Sequence, residues 1–78
     1  MISKARQGFD ALLALHRGFE VVDAEWQRHG PWLLVTLGQP SLTNGDTFAR
    51  HPYAIFKRTG AVHGMHDGAV SDEPLLTP

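Results

Sequence analysis

The side chains best suited to chemistry lie close together in the stretch GAVHGMHDGAV, residues 60–70. It contains His63, His66 and Asp67, whose side chains can bind metal ions or transfer protons. On a helix, the H-x-x-H spacing would place both histidines on one face, where a single ion could bridge them. The glycines around them favour a strand and a turn instead, and in a strand the two histidines point to opposite faces. We therefore interpret the stretch as a β-hairpin that turns at Asp67-Gly68.

A metal site could still form from separate parts of the chain. His51 would join His63, His66 and Asp67, and this set offers nitrogen and oxygen ligands of the kind that zinc and manganese use. No HExxH motif accompanies them, and the chain has no cysteine to add a thiolate ligand. A small metal-binding protein is therefore an alternative interpretation. The favoured expectation is a protein without metal or cofactor.

The hydroxyl side chains show no arrangement suited to nucleophilic catalysis. No serine stands in a G-x-S-x-G elbow, the strained turn that exposes the nucleophile of many hydrolases. The glycines of TGAVHGMHDG lack the lysine followed by serine or threonine that a phosphate-binding loop requires. A chain of 78 residues also leaves little room for a deep pocket. The sequence therefore predicts a protein that is not an enzyme.

Cations and an aromatic residue cluster between residues 50 and 58. Arg50, Tyr53, Lys57 and Arg58 could bind single-stranded nucleic acid, because cations contact phosphates and aromatic rings stack on bases. The whole chain, however, has seven Lys and Arg residues against eight Asp and Glu residues, a formal net charge of −1. Non-specific affinity for nucleic acid comes chiefly from neutralising phosphates. A nucleic-acid-binding accessory protein is therefore kept only as a second alternative.

The elements that must position these residues begin with a helix over residues 3–17. Ser3 is suited to its N-cap, and Gly18 can adopt the positive φ that often follows a last helical turn. The apolar positions that recur at helical spacing are Ala5, Phe9, Leu12 and Leu13. His16 lies beside this stripe, where we expect a packed imidazole bonded to the backbone.

A first hairpin follows, in which residues 19–27 pair with residues 32–38. Their alternation of apolar and polar residues is typical of a strand with one buried face. The expected cross-strand neighbours are Trp26 and Leu33, Ala24 and Val35, and Val22 and Leu37. The expected core comprises Phe9, Leu12, Val22, Trp26, Val35 and Leu37.

The second half of the chain predicts another hairpin. A long connection over residues 39–52, with a turn at Asn44-Gly45, leads to strands at residues 53–58 and 61–66 that meet at Thr59-Gly60. The fold class is therefore α+β, with the N-terminal helix packed on a small, mostly antiparallel four-stranded sheet in the order αββ-loop-ββ. Residues 1–70 form the single domain, and residues 71–78 form an extended C-terminal tail.

One helix can cover only one face of such a sheet. The other face is expected to present Trp32 and Leu34, with Val21 beside them and Tyr53 or Ile55 as further members. Exposed apolar patches of this kind mark interaction surfaces. The sequence therefore predicts a small protein-binding module that forms a homodimer or larger homo-oligomer, or docks on a larger protein. Asp23 and Glu25 would select basic groups at the rim of this surface.

The stretch YAIFKRTGAVHGMHDGAVSDEPL, residues 53–75, resembles the C-terminal parts of small proteins from actinobacteria and their phages. The shared pattern is an aromatic and apolar strand, a K-x-T-G turn, a second strand and an acidic close. This resemblance brings no catalytic residue and no ligand. It implies a phage or mobile-element accessory protein that acts by binding a host protein.

Apolar segments long enough for a membrane are missing from the sequence. The longest apolar run, ALLAL at residues 11–15, is far shorter than the roughly 20 residues that span a bilayer. The first residues also lack the apolar region and the cleavage site of a signal peptide. We therefore expect a cytoplasmic protein without a membrane partner.

Overall fold

The structure is a computed structural model that describes residues 3–40 and 47–78, with the side chains at positions 47 and 48 left undescribed. The elements are α1 (Lys4–Leu15), β1 (Glu20–Trp26), β2 (Trp32–Pro40), β3 (Thr47–Phe56), β4 (Val62–His66) and β5 (Ala69–Leu76). The strands form one antiparallel sheet in the order β1-β2-β3-β4-β5. The α+β class, with the helix packed on an antiparallel sheet, is confirmed. Within the described residues the sheet has five strands, whereas the sequence predicts four.

The additional strand comes from the segment expected to be an extended tail. β5 continues to Leu76 and pairs antiparallel with β4. The predicted turn at Asp67-Gly68 is confirmed, with φ angles of 51° and 77° that suit a two-residue hairpin. Pro74 argues against a strand in the sequence, but a proline is tolerated in an edge strand because its missing N–H is not needed by a neighbour.

The predicted connection over residues 39–52 is wrong at both ends. β2 continues to Pro40 and β3 begins at Thr47, so strand structure occupies most of the segment. The remaining residues 41–46, which include the predicted Asn44-Gly45 turn, lie outside the described residues. The two prolines that bracket the segment are typical of a loop, but Pro40 lies within β2 and Pro52 within β3.

The register of the first hairpin is confirmed over most of its length. Trp26 lies opposite Leu33 and Ala24 lies opposite Val35. The predicted pairing of Val22 with Leu37 is wrong, because the register shifts and Val21 lies opposite Leu37. A shift of this kind is a β-bulge, which sequence alternation cannot show.

The core lies between α1 and the sheet. Its buried cluster comprises Leu12, Val35, Leu37, Tyr53, Ile55 and Val62. Phe9 packs against this cluster, as predicted. The prediction for Trp26 is wrong, because its side chain is 57% exposed, and Val22 is only half-buried and outside the cluster. The physical reason is the position of the helix, which lies mainly over β3, β4 and β5 and leaves the edge strand β1 uncovered.

The helix begins where the sequence predicts and packs through a glycine contact. Ser3 caps it, since its Oγ accepts a hydrogen bond from the Arg6 N–H at 3.1 Å. A Cβ added at Gly8 would overlap the carbonyl oxygen of Gly60, so the absence of a side chain lets α1 approach the β3–β4 turn. Within residues 3–40 and 47–78, no helix has the length and apolar character needed to cross a membrane.

Candidate functional site

The sheet face opposite α1 bears an aromatic cluster. Leu33 packs against the core, and since side chains alternate along a strand, Trp32 points to the other face. Phe56 lies opposite Trp32 in the register, with ring centroids 5.2 Å apart. The ring centroids of His63 and Trp32 are also 5.2 Å apart, and both contacts are edge-on. We call the surface formed by Trp32, Leu34, Phe56 and His63 the open face.

All four residues of the open face are half-buried by their neighbours within the sheet. Leu34 lies in a row that crosses the sheet, with Glu25 on one side and Ala54 and then His63 on the other. The row joins an acidic strand β1 to the aromatic cluster. The surface therefore has an apolar centre and an acidic margin.

The structure brings together most of the residues predicted for this surface. Trp32, Leu34 and Glu25 share the face, and Asp23 belongs to it because it lies opposite Thr36, two residues from Leu34. Asp23 and Glu25 are exposed at its margin. Val21 is not part of it, because the bulge places Val21 opposite Leu37, which faces the core.

Two members of the open face are not indicated by the sequence, and two further residues are wrongly expected there. Tyr53 and Ile55, expected as further members, belong to the core, and Phe56 and His63 take their place. The sequence YAIFKR alternates in a way that fits either choice of inward face. The packing of α1 decides which face of β3 points inward, and it buries Ile55 while Phe56 stays on the other face.

His63 is held in place by the last strand. Its Nδ1 lies 2.9 Å from the carbonyl oxygen of Ser71. Because a carbonyl only accepts hydrogen bonds, Nδ1 carries the proton and donates, which leaves Nε2 unprotonated in the neutral ring. The hydrogen bond ties β4 to β5 and fixes the imidazole beside Trp32.

The histidines of the alternative metal site are kept apart. His51 lies opposite Leu37 on the core side, with its ring centroid 5.5 Å from that of Phe19, whereas His63 lies on the open face. His66 is exposed near the hairpin turn, 3.3 Å from the Asp67 carboxylate. In the part of the chain that the structure describes, no three His, Cys, Asp or Glu residues form a group that could hold a metal ion.

The predicted nucleic-acid surface loses its aromatic residue to the core. Tyr53 is 8% exposed, and its hydroxyl lies 2.7 Å from Nε2 of His16. Burial raises the pKa of Tyr53 above the ordinary value of 10.0, so the phenol keeps its proton at neutral pH. His16 is packed as expected, but this bond joins it to a side chain instead of the backbone.

Lys57 is likewise engaged within the fold. Its Nζ donates hydrogen bonds to the carbonyl oxygens of Gln27 and Gly30 in the β1–β2 turn, the latter at 2.7 Å. It also lies 4.5 Å from the centre of the Trp26 ring, a cation–π contact. Arg50 and Arg58 remain exposed. The structure therefore does not assemble the four predicted residues into one base-stacking platform.

A groove that the sequence did not indicate lies on the helix side of the sheet, between the start of α1 and β1. Its volume is about 230 Å³, and its lining is almost entirely apolar. The apolar residues that line it are Ala5, Phe9, Ala24, Trp26 and Leu33. It was missed because Trp26 was expected to fill the core beneath the helix, whereas its ring forms a wall of the groove.

Comparison of the chain with protein-family models, with curated proteins and with solved structures gave no match. The geometry of the described residues is therefore what the functional proposal rests on.

Proposed function

We propose that the chain is a small, non-enzymatic protein-interaction domain that associates with a second copy of itself through the open face. The observation that supports this most directly is the edge-on cluster of Trp32, Phe56 and His63 on a face that α1 does not cover. Aromatic side chains held in a rigid, half-buried arrangement provide much of the binding energy of protein interfaces. Asp23 and Glu25 lie at the margin, where charged groups set orientation and selectivity.

Three side chains that could take part in chemistry are occupied by structural contacts. His16 is bonded to the Tyr53 hydroxyl, and His63 is bonded to the Ser71 carbonyl. Lys57 holds the β1–β2 turn. These contacts give each group a role in the fold and support a binding function over a catalytic one.

A second copy fits the open face in size, and its low net charge does not oppose association. The two longest dimensions of the molecule are 39 and 30 Å, which allow the roughly 800 Å² per partner that a standard interface buries. Two such sheets can pack face to face at about 10 Å. A net charge of −1 produces little repulsion between copies. We place this association in the cytoplasm, where a chain without cysteine needs no disulfide.

The test is the oligomeric state, measured by sedimentation and light scattering over a range of protein concentrations. We expect a reversible dimer that persists at high salt, because burial of apolar surface is not weakened by ions. Trp32→Ala should shift the protein to a monomer. Trp26→Ala is the matched control, since it removes the other of the two tryptophans from a different surface and should leave the dimer intact.

A second variant protects the test against loss of folding in Trp32→Ala. Leu34→Lys places a charge within the open face at a half-buried position and should also give a folded monomer. Circular dichroism and thermal melts report whether each variant folds. A wild-type chain that stays monomeric at the highest concentrations would contradict self-association. A host protein, as expected of a phage or mobile-element accessory protein, would then be the partner to seek.

A further inference from the structure

The edge strand β1 presents main-chain hydrogen-bonding groups away from the sheet, and the ladder identifies which ones. The Gln27 N–H donates to the Trp32 carbonyl at 3.1 Å, so this pair is a hydrogen-bonded pair of the antiparallel ladder. Such pairs alternate along the strand. Glu25 therefore also faces β2, and the N–H and C=O groups of Ala24 and Trp26 point outward from the described sheet.

The side chains of the same two residues line the apolar groove. Ala24 and Trp26 form its sheet side, and Phe9 belongs to its helix side. The groove has a volume of about 230 Å³. An apolar cavity of about 150 Å³ is enough to bind benzene, so the groove has room for one aromatic ring or for aliphatic side chains. A strand added beside β1 would place every second side chain at this groove.

The wall formed by Trp26 is fixed in advance of binding. Lys57 lies 4.5 Å from the centre of the indole ring, and its ammonium group is itself bonded to the carbonyl oxygens of Gln27 and Gly30. An exposed tryptophan held in this way loses little conformational freedom when a ligand packs against it. The side chain of Trp26, which is 57% exposed, is therefore held in place at the groove before a ligand binds.

The opposite side of β1 sets the charge of the incoming strand. Asp23 and Glu25 are exposed and point to the open-face side. They alternate along β1 with Ala24 and Trp26, which line the groove on the other side. Residues of opposite charge stabilise neighbouring strands when they face each other. The side chains of an added strand that lie beside Asp23 and Glu25 are therefore best supplied by Lys or Arg.

The other edge of the sheet is far less suited to strand addition. β5 contains Pro74, and its pairing with β4 is interrupted by two register shifts. These are features by which natural sheets protect their edges. β5 also carries Asp72 and Glu73, so pairing of β5 from a second copy with β1 would bring like charges together. A basic segment of another protein avoids this repulsion.

We infer that the β1 edge at Asp23–Trp26 binds an extended segment of a partner protein as a sixth strand. The segment alternates apolar residues, which enter the groove, with Lys or Arg, which face Asp23 and Glu25. Its main chain bonds to the outward groups of Ala24 and Trp26. The groove and the outward main-chain groups are separate from the open face, whereas Asp23 and Glu25 lie at the margin of both surfaces. Neither proposal depends on the other.

The probe is an acetylated and amidated hexapeptide that alternates lysine with leucine, titrated into the full chain. We expect saturable binding of one peptide per chain, measured by calorimetry, with the largest amide shifts in NMR spectra at Ala24 and Trp26. Ala24→Pro removes an outward N–H that the ladder does not use and should weaken binding about tenfold. Trp32→Ala, on the other face, should leave the affinity unchanged.

Two further arms test the backbone and charge requirements without depending on Ala24→Pro. A peptide N-methylated at alternate amides on its bonding edge should bind about tenfold more weakly to the wild-type chain. The double variant Asp23→Lys with Glu25→Lys should reverse the charge preference, so that a hexapeptide alternating glutamate with leucine binds better than the lysine peptide. No binding of the lysine peptide, equal binding of the N-methylated and unmethylated peptides, or shifts confined to the open face would overturn the inference.

Discussion

At the scale of single residues, Tyr53 shows how burial changes the response of the fold to pH. Its pKa is raised from 10.0 by desolvation, so the folded state favours the protonated phenol more than the unfolded chain does. Stability from this group is therefore complete below pH 10 and is lost as the pH rises through the higher folded-state pKa. Tyr53→Phe should remove this alkaline loss while lowering stability near neutral pH by about 1 kcal/mol, since the bond to His16 disappears.

The measurement is the midpoint of urea unfolding at neutral and alkaline pH for both chains. Tyr53 is the single tyrosine of the sequence, so an absorbance titration of the phenolate reports on it alone. We expect a titration above pH 10 in the folded protein. Equal losses of stability in the two chains between neutral and alkaline pH would mean that ionisation of Tyr53 does not cause the alkaline loss.

The residues of the candidate site could be predicted from the sequence only in part. Trp32, Leu34 and Glu25 follow from alternation and a correct hairpin register, and the structure places them on one face. Phe56 and His63 could not be assigned, because their membership depends on which strands the helix covers. Trp26 was assigned to the core on its apolar character, a property that does not distinguish a core residue from the wall of a groove.

At the scale of elements, the close contact between α1 and the β3–β4 turn makes an unusual demand on the helix. Replacing glycine by alanine inside a helix ordinarily stabilises it by about 1 kcal/mol. At Gly8, however, the added Cβ would overlap the Gly60 carbonyl oxygen and lie 2.8 Å from Cγ2 of Ile55. We expect Gly8→Ala to destabilise the protein by about 1–3 kcal/mol, because the helix must move away from the sheet.

The control for this prediction is Ala14→Gly at an exposed helix position, which should lower the free energy of unfolding by about 1 kcal/mol through helix propensity alone. Both variants are compared by chemical denaturation. If Gly8→Ala were more stable than the wild type, the helix would not be in contact with the turn, and the packing of α1 would have to be different.

Helix α1, the first hairpin and the turn at Asp67-Gly68 were predictable because each is specified locally, by a cap, by alternation or by a positive φ. β5 was not, since Pro74 and the acidic residues beside it argue against a strand. Whether a segment at the edge of a sheet forms a strand depends on the neighbouring strand with which it pairs. β4 supplies this partner, and no local pattern in the last residues indicates it.

At the scale of the whole molecule, the core is small and the protein should unfold cooperatively. Leu12 is fully buried at the centre of the cluster, so Leu12→Ala should cost about 2–5 kcal/mol. A domain of this size rarely has more than about 3–5 kcal/mol of stability, so this variant should be largely unfolded. Trp26→Ala, at an edge position with an exposed ring, should cost clearly less, which circular dichroism and thermal melts can compare directly. Equal losses in the two variants would place Trp26 in the core after all.

Self-association and folding are linked in a protein this small, and the link can be measured. If the dimer forms through the open face, each copy is stabilised by binding the other, and the melting temperature must rise with protein concentration. We expect this rise in the wild type and in Trp26→Ala, and its absence in Leu34→Lys, whose melting temperature should be the same at every concentration. The measurement is a series of thermal melts across the concentration range used for sedimentation. A wild-type melting temperature that does not change with concentration would mean that the open face is not buried by a second copy when the protein folds.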